Sequence, residues 1–517
     1  MRGSTDDTTQ AGNPPENTGG FRLFTARQLV LLVVLTLAAI ALRLFRLGEW
    51  SFWVDEAHTF RDVTASETEF WRSNVSNYPL GYLMLRWLLD AGVLRTTGEG
   101  WLRLPFAFFG ALAIPALAVF GRSVVGRRAA LLAAGMLAIS PWHLYWSQNA
   151  RGYALTMFFA LLAAFTAHRA ARHRSILLAL VAVIGVAIAG SAHPSGVLLI
   201  VSMVAFFGSE VASDPGLRRR VTRLPVMLAL GICAAGLAVW VGPTVLHAAR
   251  EKPDFSAVHL AQTFGWFLGP PFVVAAVGGS LAMMLRASRR EAAFLITWLL
   301  VPLLALAVVG SSFLKVTAQY GLVVLPAVYL LASRLIVELA DEIRERSTRA
   351  RLLRWTLPFV LMSSLASEAF LYFAKRHGER PLWREAAQFV MADAPGPVEI
   401  WSTNEPSIRF YLDRLSFWGE SREDVRIAGI APWLFRDAGG GAAWLDEARR
   451  AAEESGRGLY FVLTEPELEE WDRDGAFDRA LRSQAHQIAR YPCWVGPKDM
   501  TVVVYRVPPR TGRGRRG

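Results

Sequence analysis

The sequence predicts a polytopic α-helical membrane protein of about eleven spans, with in-plane helices in its first external loop and a small external α/β domain at the C-terminus. Three observations predict it. Of the 517 residues, 53% are hydrophobic and only 19% are charged, against roughly 25% charged in ordinary soluble domains, and mean hydropathy is +0.30. The apolar residues gather into runs separated by short Arg-rich segments. From residue 375 onward the composition changes to that of a soluble domain. A disordered chain, a disulfide-stapled mini-protein and a purely soluble enzyme are thereby excluded. Cys233 and Cys493 lie far apart, so no disulfide framework or Cys-rich metal site is expected. The net charge of +12 is spread over many short clusters instead of one basic face, so nucleic acid is not an expected partner.

Residues 1–26 read as a disordered cytoplasmic tail, rich in Thr, Asn, Gly, Pro and Asp. No basic segment followed by a short apolar core stands at the start, so no signal peptide is expected. The run from Gln28 to Phe45 is long enough to cross a hydrocarbon core of ~30 Å. Further runs lie near 103–121, 129–141, 153–168, 175–190, 196–211, 224–243, 264–285, 291–310, 319–337 and 355–373. Together, residues 27–374 form the expected membrane domain. The stretch 78–93 carries Arg86 and Asp90 and reads as a helix lying in the interface. In 375–517, the segments 399–401, 459–463 and 501–505 read as strands and 442–455 as an amphipathic helix, ahead of a basic tail.

Orientation follows from counting basic residues in alternate loops. One set holds Arg122, Arg127 and Arg128, then Arg169, Arg172 and Arg174, then Arg218, Arg219, Arg220 and Arg223. It continues with Arg286, Arg289 and Arg290, and with Arg344, Arg346, Arg349, Arg351 and Arg354. The intervening loops hold few: Arg151, Arg250 with Lys252, and Lys315. The first set is therefore expected on the cytoplasmic side of an inner or plasma membrane, with the N-terminus cytoplasmic and the C-terminal domain extracytoplasmic.

Two external segments carry the candidate chemistry. Trp50-Ser51-Phe52-Trp53-Val54-Asp55-Glu56-Ala57-His58 follows the first run. Two acids among interfacial aromatics sit where the dielectric falls, and carboxylates there are costly without a partner or a function; otherwise both are solvated loop acids. The second segment runs from Ser140-Pro141-Trp142-His143 to Ala150-Arg151-Gly152-Tyr153. Its one cation, Arg151, suits a phosphate beside a membrane, and equally an aromatic belt with a snorkelling Arg. Lys315, Gln319 and Tyr320 form a third cluster and His193 a fourth, a lone His being more often a structural hydrogen-bonder. No Gly-rich nucleotide cradle is present.

The pattern Trp53-Val54-Asp55-Glu56-Ala57, then Arg103-Leu104-Pro105-Phe106-Ala107, then Gly121 to Ala134, then Ser140-Pro141-Trp142-His143 and Ser147 to Leu155, resembles the GT-C membrane glycosyltransferases. It is most similar to the family-39-like group, the bacterial relatives of dolichyl-phosphate-mannose protein mannosyltransferases and aminoarabinose transferases. Trp383-Arg384-Glu385-Ala386-Ala387 also resembles the opening of that group's external domain. The resemblance implies transfer of a sugar from a polyprenyl-phosphate donor to an acceptor hydroxyl of a glycan, lipid or protein at the external face. It maps the catalytic acid doublet onto Asp55 and Glu56 and the donor-phosphate cation onto Arg151. Two motifs depart from the group: Asn77-Tyr78-Pro79-Leu80 stands where relatives have His-Pro-Pro-Leu, and Gln319-Tyr320 where many have Arg-Tyr.

The chemistry agrees with that inventory. One carboxylate suffices as base for an attacking hydroxyl, a second can stabilise an oxocarbenium-like transition state, and a phosphate leaving group needs cations instead of a general acid. Asp55 and Glu56 facing Arg151 and Lys315 would supply these, with inversion at the anomeric carbon. His58, His143, Tyr153, His193, Gln319 and Tyr320 complete the candidate list. No cofactor is expected; a divalent metal held by Asp55, Glu56 or His58 with a distant His is the alternative. The rival functions are a transporter or flippase of lipid-linked glycan, which predicts broken spans with charges at mid-membrane, and a non-catalytic glycan-binding scaffold.

Overall fold

The computed structural model describes residues 24–96, 98–223, 225, 236, 257–285, 289–312, 318–342, 348–418, 422–430, 441–472, 474–496 and 498–509. The expected run near 224–243, the loop with Arg250 and Lys252, and Lys315 lie outside the described residues.

Among the described residues, seven helical segments are long and apolar enough to cross a membrane: Ala26–Leu44, Glu99–Val125, Tyr153–His173, Pro194–Ser213, Arg289–Val308, Ala318–Glu342 and Trp355–Ala374. The expected run at 129–141 forms a helix of only 13 residues, and that at 175–190 one of 17. The run at 264–285 is broken by an 87° bend. Gly269 supplies the break with φ of 75°, and Pro270-Pro271 cannot continue the preceding helix.

In chain order the membrane part comprises α1 (Ala26–Leu44), α2 (Val54–Thr64), α3 (Glu67–Arg72), α4 (Pro79–Asp90), α5 (Glu99–Val125), α6 (Arg127–Ile139), α7 (Pro141–Ser147), α8 (Tyr153–His173), α9 (Ile176–Ala192) and α10 (Leu198–Ser213). It continues with α11 (Pro215–Val221), α12 (Ala257–Leu268), α13 (Pro270–Leu285), α14 (Arg289–Ser312), α15 (Leu325–Glu342) and α16 (Thr348–Ala374). At ~1.5 Å per residue α4 is far too short to span a bilayer; it packs on α2 with Tyr82 and Leu85 buried. The small side chains Ala129, Ala130, Ala133 and Ala134 on α6 are fully buried. Such residues let helix backbones approach closely where lipid gives no hydrophobic drive between helices. The Arg43 guanidinium is buried at the end of α1: it donates to the carbonyls of Ala39 and Ala138 at 3.0 Å, tying α1 to the C-terminus of α6.

The C-terminal part holds a five-stranded sheet in the order β2-β1-β3-β7-β4. Its strands are β1 (Val398–Ser402), β2 (Val425–Gly429), β3 (Gly458–Thr464), β4 (His486–Tyr491) and β7 (Val502–Val507), and β5 (Trp494–Val495) pairs separately with β6 (Lys498–Asp499). β1 pairs in parallel with β2 and β3, whereas β7 runs antiparallel to β3 and β4. The period-2 alternation of β3 explains its two buried faces. Leu459, Phe461 and Leu463 join Trp444 of α19 (Gly441–Glu454) on one side. Tyr460 and Val462 join Trp383 of α17 (Trp383–Asp393) and Ile408 of α18 (Glu405–Leu412) on the other. The strands and helix expected from sequence fall in β1, β3, β7 and α19.

Candidate active site

The site is built where α2, the turn before α8 and the segment after α16 meet. The N-terminus of α2 places Asp55 and Glu56 in its first turn, where the helix dipole favours carboxylates. Successive helix positions diverge by about 100°, and that divergence separates the two acids. Glu56 points inward and is fully buried. Its Oε1 accepts from Arg103 Nε at 2.7 Å and the Ala150 amide at 2.8 Å; its Oε2 accepts from Arg103 Nη2 at 2.8 Å and the Trp53 amide at 3.0 Å. The Trp53 contact is the returning half of a capping box, the Glu56 side chain satisfying the N-cap amide. Arg380 Nε lies 3.5 Å from Oε2. Burial alone would raise the Glu56 carboxyl, but the Arg103 and Arg380 guanidiniums outweigh it and hold it below the ordinary carboxylate range.

Asp55 points the other way. Its side chain is 40% exposed and stands 3.3 Å from Arg151 Nη2. The Arg151 guanidinium is held from three sides: Thr59 Oγ1 at 3.3 Å, the Tyr82 hydroxyl at 3.2 Å, and the face of Tyr78 at 4.7 Å. Burial opposes its charge, but Asp55 and the surrounding tyrosines keep its pKa above the ordinary Arg value, so it stays a cation. Gly152 explains how Arg151 reaches this position, because a Cβ there would collide with the carbonyl of Ala192 at the end of α9. Behind it, Tyr82 also reaches Asp62 at 3.5 Å, and Asp62 is paired with Arg61 and Asn74. Burial pushes the Tyr82 hydroxyl up to about 12.

An aromatic wall adjoins the pair. Tyr153 lies between Trp146 and His193, with ring centroids 4.1 Å from each, and His193 also meets Tyr78 at 5.4 Å and Tyr320 at 5.5 Å. His193 Nδ1 is turned to Ser195, 2.9 Å from its hydroxyl. His58 Nδ1, Trp146 Nε1 and both amide atoms of Asn149 are buried with no hydrogen-bond partner among the described residues. Burial and then Arg61 lower the His58 pKa, which keeps the ring neutral.

The structure therefore brings Asp55, Arg151, Tyr153, His193 and Tyr320 into one neighbourhood, with His58 one helical turn from Asp55. Gln319 is half-buried in the segment Ala318–Val324 beside Tyr320. His143 is engaged elsewhere: its Nδ1 lies 2.7 Å from Arg43 Nη2, and burial with that guanidinium lowers its pKa well below the ordinary His range. Among the described residues no group of three His, Cys, Asp or Glu side chains could hold a metal ion. Sequence reasoning gave no role to Arg103, Tyr78, Tyr82 or Arg380. Arg103 had a signal, being a cation at the start of an apolar helix, and Tyr78 lies in the departing motif Asn77-Tyr78-Pro79-Leu80. Arg380 had none.

This architecture, a helical membrane part with one broken span and several short helices, followed by a C-terminal α/β part, is the GT-C fold. No family model matches the chain, and no curated protein matches it in sequence. Among solved structures, the apo oligosaccharyltransferase of Archaeoglobus fulgidus is similar with a TM-score of 0.55 and 12% identity, over 90% of this chain and 73% of that one. ArnT from Cupriavidus metallidurans is similar in its apo state (TM-score 0.53, 14% identity, 93% of this chain and 98% of that one) and bound to undecaprenyl phosphate (TM-score 0.52, 14% identity, same coverage).

Proposed function

We propose that this chain transfers a sugar from a polyprenyl-phosphate donor to an acceptor hydroxyl at the extracytoplasmic face of the inner or plasma membrane. The observation that carries the reading is the unequal pair Asp55 and Arg151: an accessible carboxylate 3.3 Å from a mostly buried guanidinium. The fold supports it, since a similar structure, ArnT, is bound to undecaprenyl phosphate, and another, the archaeal oligosaccharyltransferase AglB, is in complex with an inhibitory peptide and a dolichol-phosphate.

In this reading Asp55 accepts the proton of the acceptor hydroxyl as its oxygen bonds to the anomeric carbon. The bond from that carbon to the phosphate oxygen breaks in the same displacement, which inverts the centre. The released phosphate carries its charge to Arg151, with Lys315 as a second cation. Glu56 has no oxygen to spare and acts as a positioning residue, fixing α2 and the Ala150 amide beside Arg151.

Envelope glycans of a deletion strain test the reading by mass spectrometry. One sugar unit is expected to be lost, restored by the wild-type chain and not by Asp55→Asn. Glycans unchanged by the deletion, or restored by Asp55→Asn, would overturn it.

A further inference from the structure

The helix ends remote from Asp55 enclose a cavity of about 450 Å³ between α1, α6, α15 and α16. That volume falls within the ~300–1,000 Å³ of ordinary ligand sites. Its two ends differ in chemistry. Leu35, Gly135 and Met362 close the inner end. A Cβ on Gly135 would stand 3.7 Å from both Leu35 and Met362, so the missing side chain is what gives the groove its depth. Gln28, Arg128, Asp341 and Trp355 line the mouth. Arg128 and Asp341 are paired at 3.2 Å, with side chains 69% and 50% exposed, and Trp355 is exposed, as interfacial Trp side chains are. From Arg128 to Gly135 the groove follows α6 for about 10 Å at the helical rise.

We infer that this groove holds one acyl chain of an anionic membrane phospholipid, whose phosphate docks at Arg128. The walls are too apolar for a polar metabolite, and the mouth offers a cation at headgroup depth. The Arg128 guanidinium meets an anionic headgroup without the repulsion that a choline ammonium would add, so the mouth favours an anionic over a zwitterionic lipid. Asp341 orients the Arg128 guanidinium and leaves its remaining donors to the phosphate. The site lies at the opposite ends of the helices from Arg151 and is independent of the sugar-transfer reading.

Native mass spectrometry of the full chain, titrated with phosphatidylglycerol or phosphatidylcholine in detergent, tests it. One phosphatidylglycerol is expected to be retained, with phosphatidylcholine about fivefold weaker, the effect of one Arg near a headgroup. Arg128→Gln, an exposed change that leaves the packing intact, should erase that preference. Gly135→Leu, which fills the inner end, should remove retention of both lipids. Equal retention of the two lipids by the wild type, or a preference that survives Arg128→Gln, overturns the site. Retention unchanged in Gly135→Leu, or a photo-crosslink from the groove to residues 1–23, overturns the groove as the lipid's seat.

Discussion

Arg103 closes on both oxygens of Glu56, at 2.7 and 2.8 Å, with neither side chain exposed to solvent. The remaining Arg103 donors reach the carbonyls of Leu47, Trp50 and Ser51 at 3.0 Å, so one guanidinium fastens the chain entering α2 to α5. Removing one partner of such a pair leaves an uncompensated buried charge. Glu56→Ala is expected to destabilise the protein by about 3–5 kcal/mol, read as a large drop in thermal midpoint in detergent. Glu56→Gln keeps the shape but cannot neutralise Arg103, and should fall between Glu56→Ala and the wild type.

Asp55 differs from its neighbour in this respect. It is partly exposed, its ion-pair partner among the described residues is Arg151, and Arg151 keeps its contacts to Thr59, Tyr82 and the Tyr78 face, so Asp55→Asn should cost far less than Glu56→Ala, about 1 kcal/mol. The same change should cost at least about 10²–10⁴ in turnover if the carboxylate is the base. Glycan analysis and a melting curve on one preparation separate the two effects. A fully active Asp55→Asn protein would end the sugar-transfer reading.

Arg151→Lys keeps the charge and loses the fork held by Thr59, Tyr82 and the Tyr78 face. If Arg151 receives the leaving phosphate, turnover should fall by about 10²–10³ for Arg151→Ala and by less for Arg151→Lys. A loss confined to the apparent donor KM would instead assign Arg151 to ground-state binding.

Glu379, just beyond α16, gives a pH prediction. Burial raises its carboxyl, against the pull of Arg376 and Arg380, to about 7 from 4.5. A folded-state pKa above the unfolded value in an acid means that the ionised form is penalised on folding. Stability should therefore decline as pH rises from about 4.5 to 7, by at most about 3 kcal/mol. Glu379→Gln removes that penalty, so its gain in thermal midpoint over the wild type should be larger at pH 8 than at pH 5. An equal difference at both values would show that the carboxyl does not titrate in this range.

How far the sequence could be read depended on whether the signal was local. The alternation of apolar runs with Arg clusters is local, and so are the motifs around Asp55 and Arg151. The break at Gly269-Pro270-Pro271 carries a local signal too, punctuation inside an apolar run, yet 264–285 was expected as one uninterrupted run. The difference between Asp55 and Glu56 was not local: two adjacent acids look alike until a helix turns them apart and a partner 47 residues away closes on one. His143 is a similar case, since its orientation is decided by Arg43, 100 residues earlier. Arg380 follows the last span and belongs, by composition, to the C-terminal part.

That residue and its neighbours make the C-terminal part an extension of the site. Arg380 lies over the Tyr145 ring at 3.9 Å and donates to the carbonyls of Tyr145 and Gln148 at 3.4 Å, beside Glu56. On α18, the Tyr411 hydroxyl accepts from the Phe52 amide at 2.7 Å and donates to Glu99 at 2.9 Å. Phe410 packs on Phe52 with ring centroids 4.5 Å apart. The segment leading into Asp55 is thus clamped between α5 and the C-terminal part. Tyr411→Phe should leave the Phe52 amide unpaired, at a cost of about 1–3 kcal/mol, and lower turnover at saturating donor without changing the residues that touch substrate. Arg380→Lys, which keeps the charge but not the fork, should act in the same direction. If both variants lose stability yet keep full turnover when assayed well below their melting points, the clamp supports the fold alone. A fall in turnover under those conditions, with the donor KM unchanged, would show that the C-terminal part holds Asp55 in its working position.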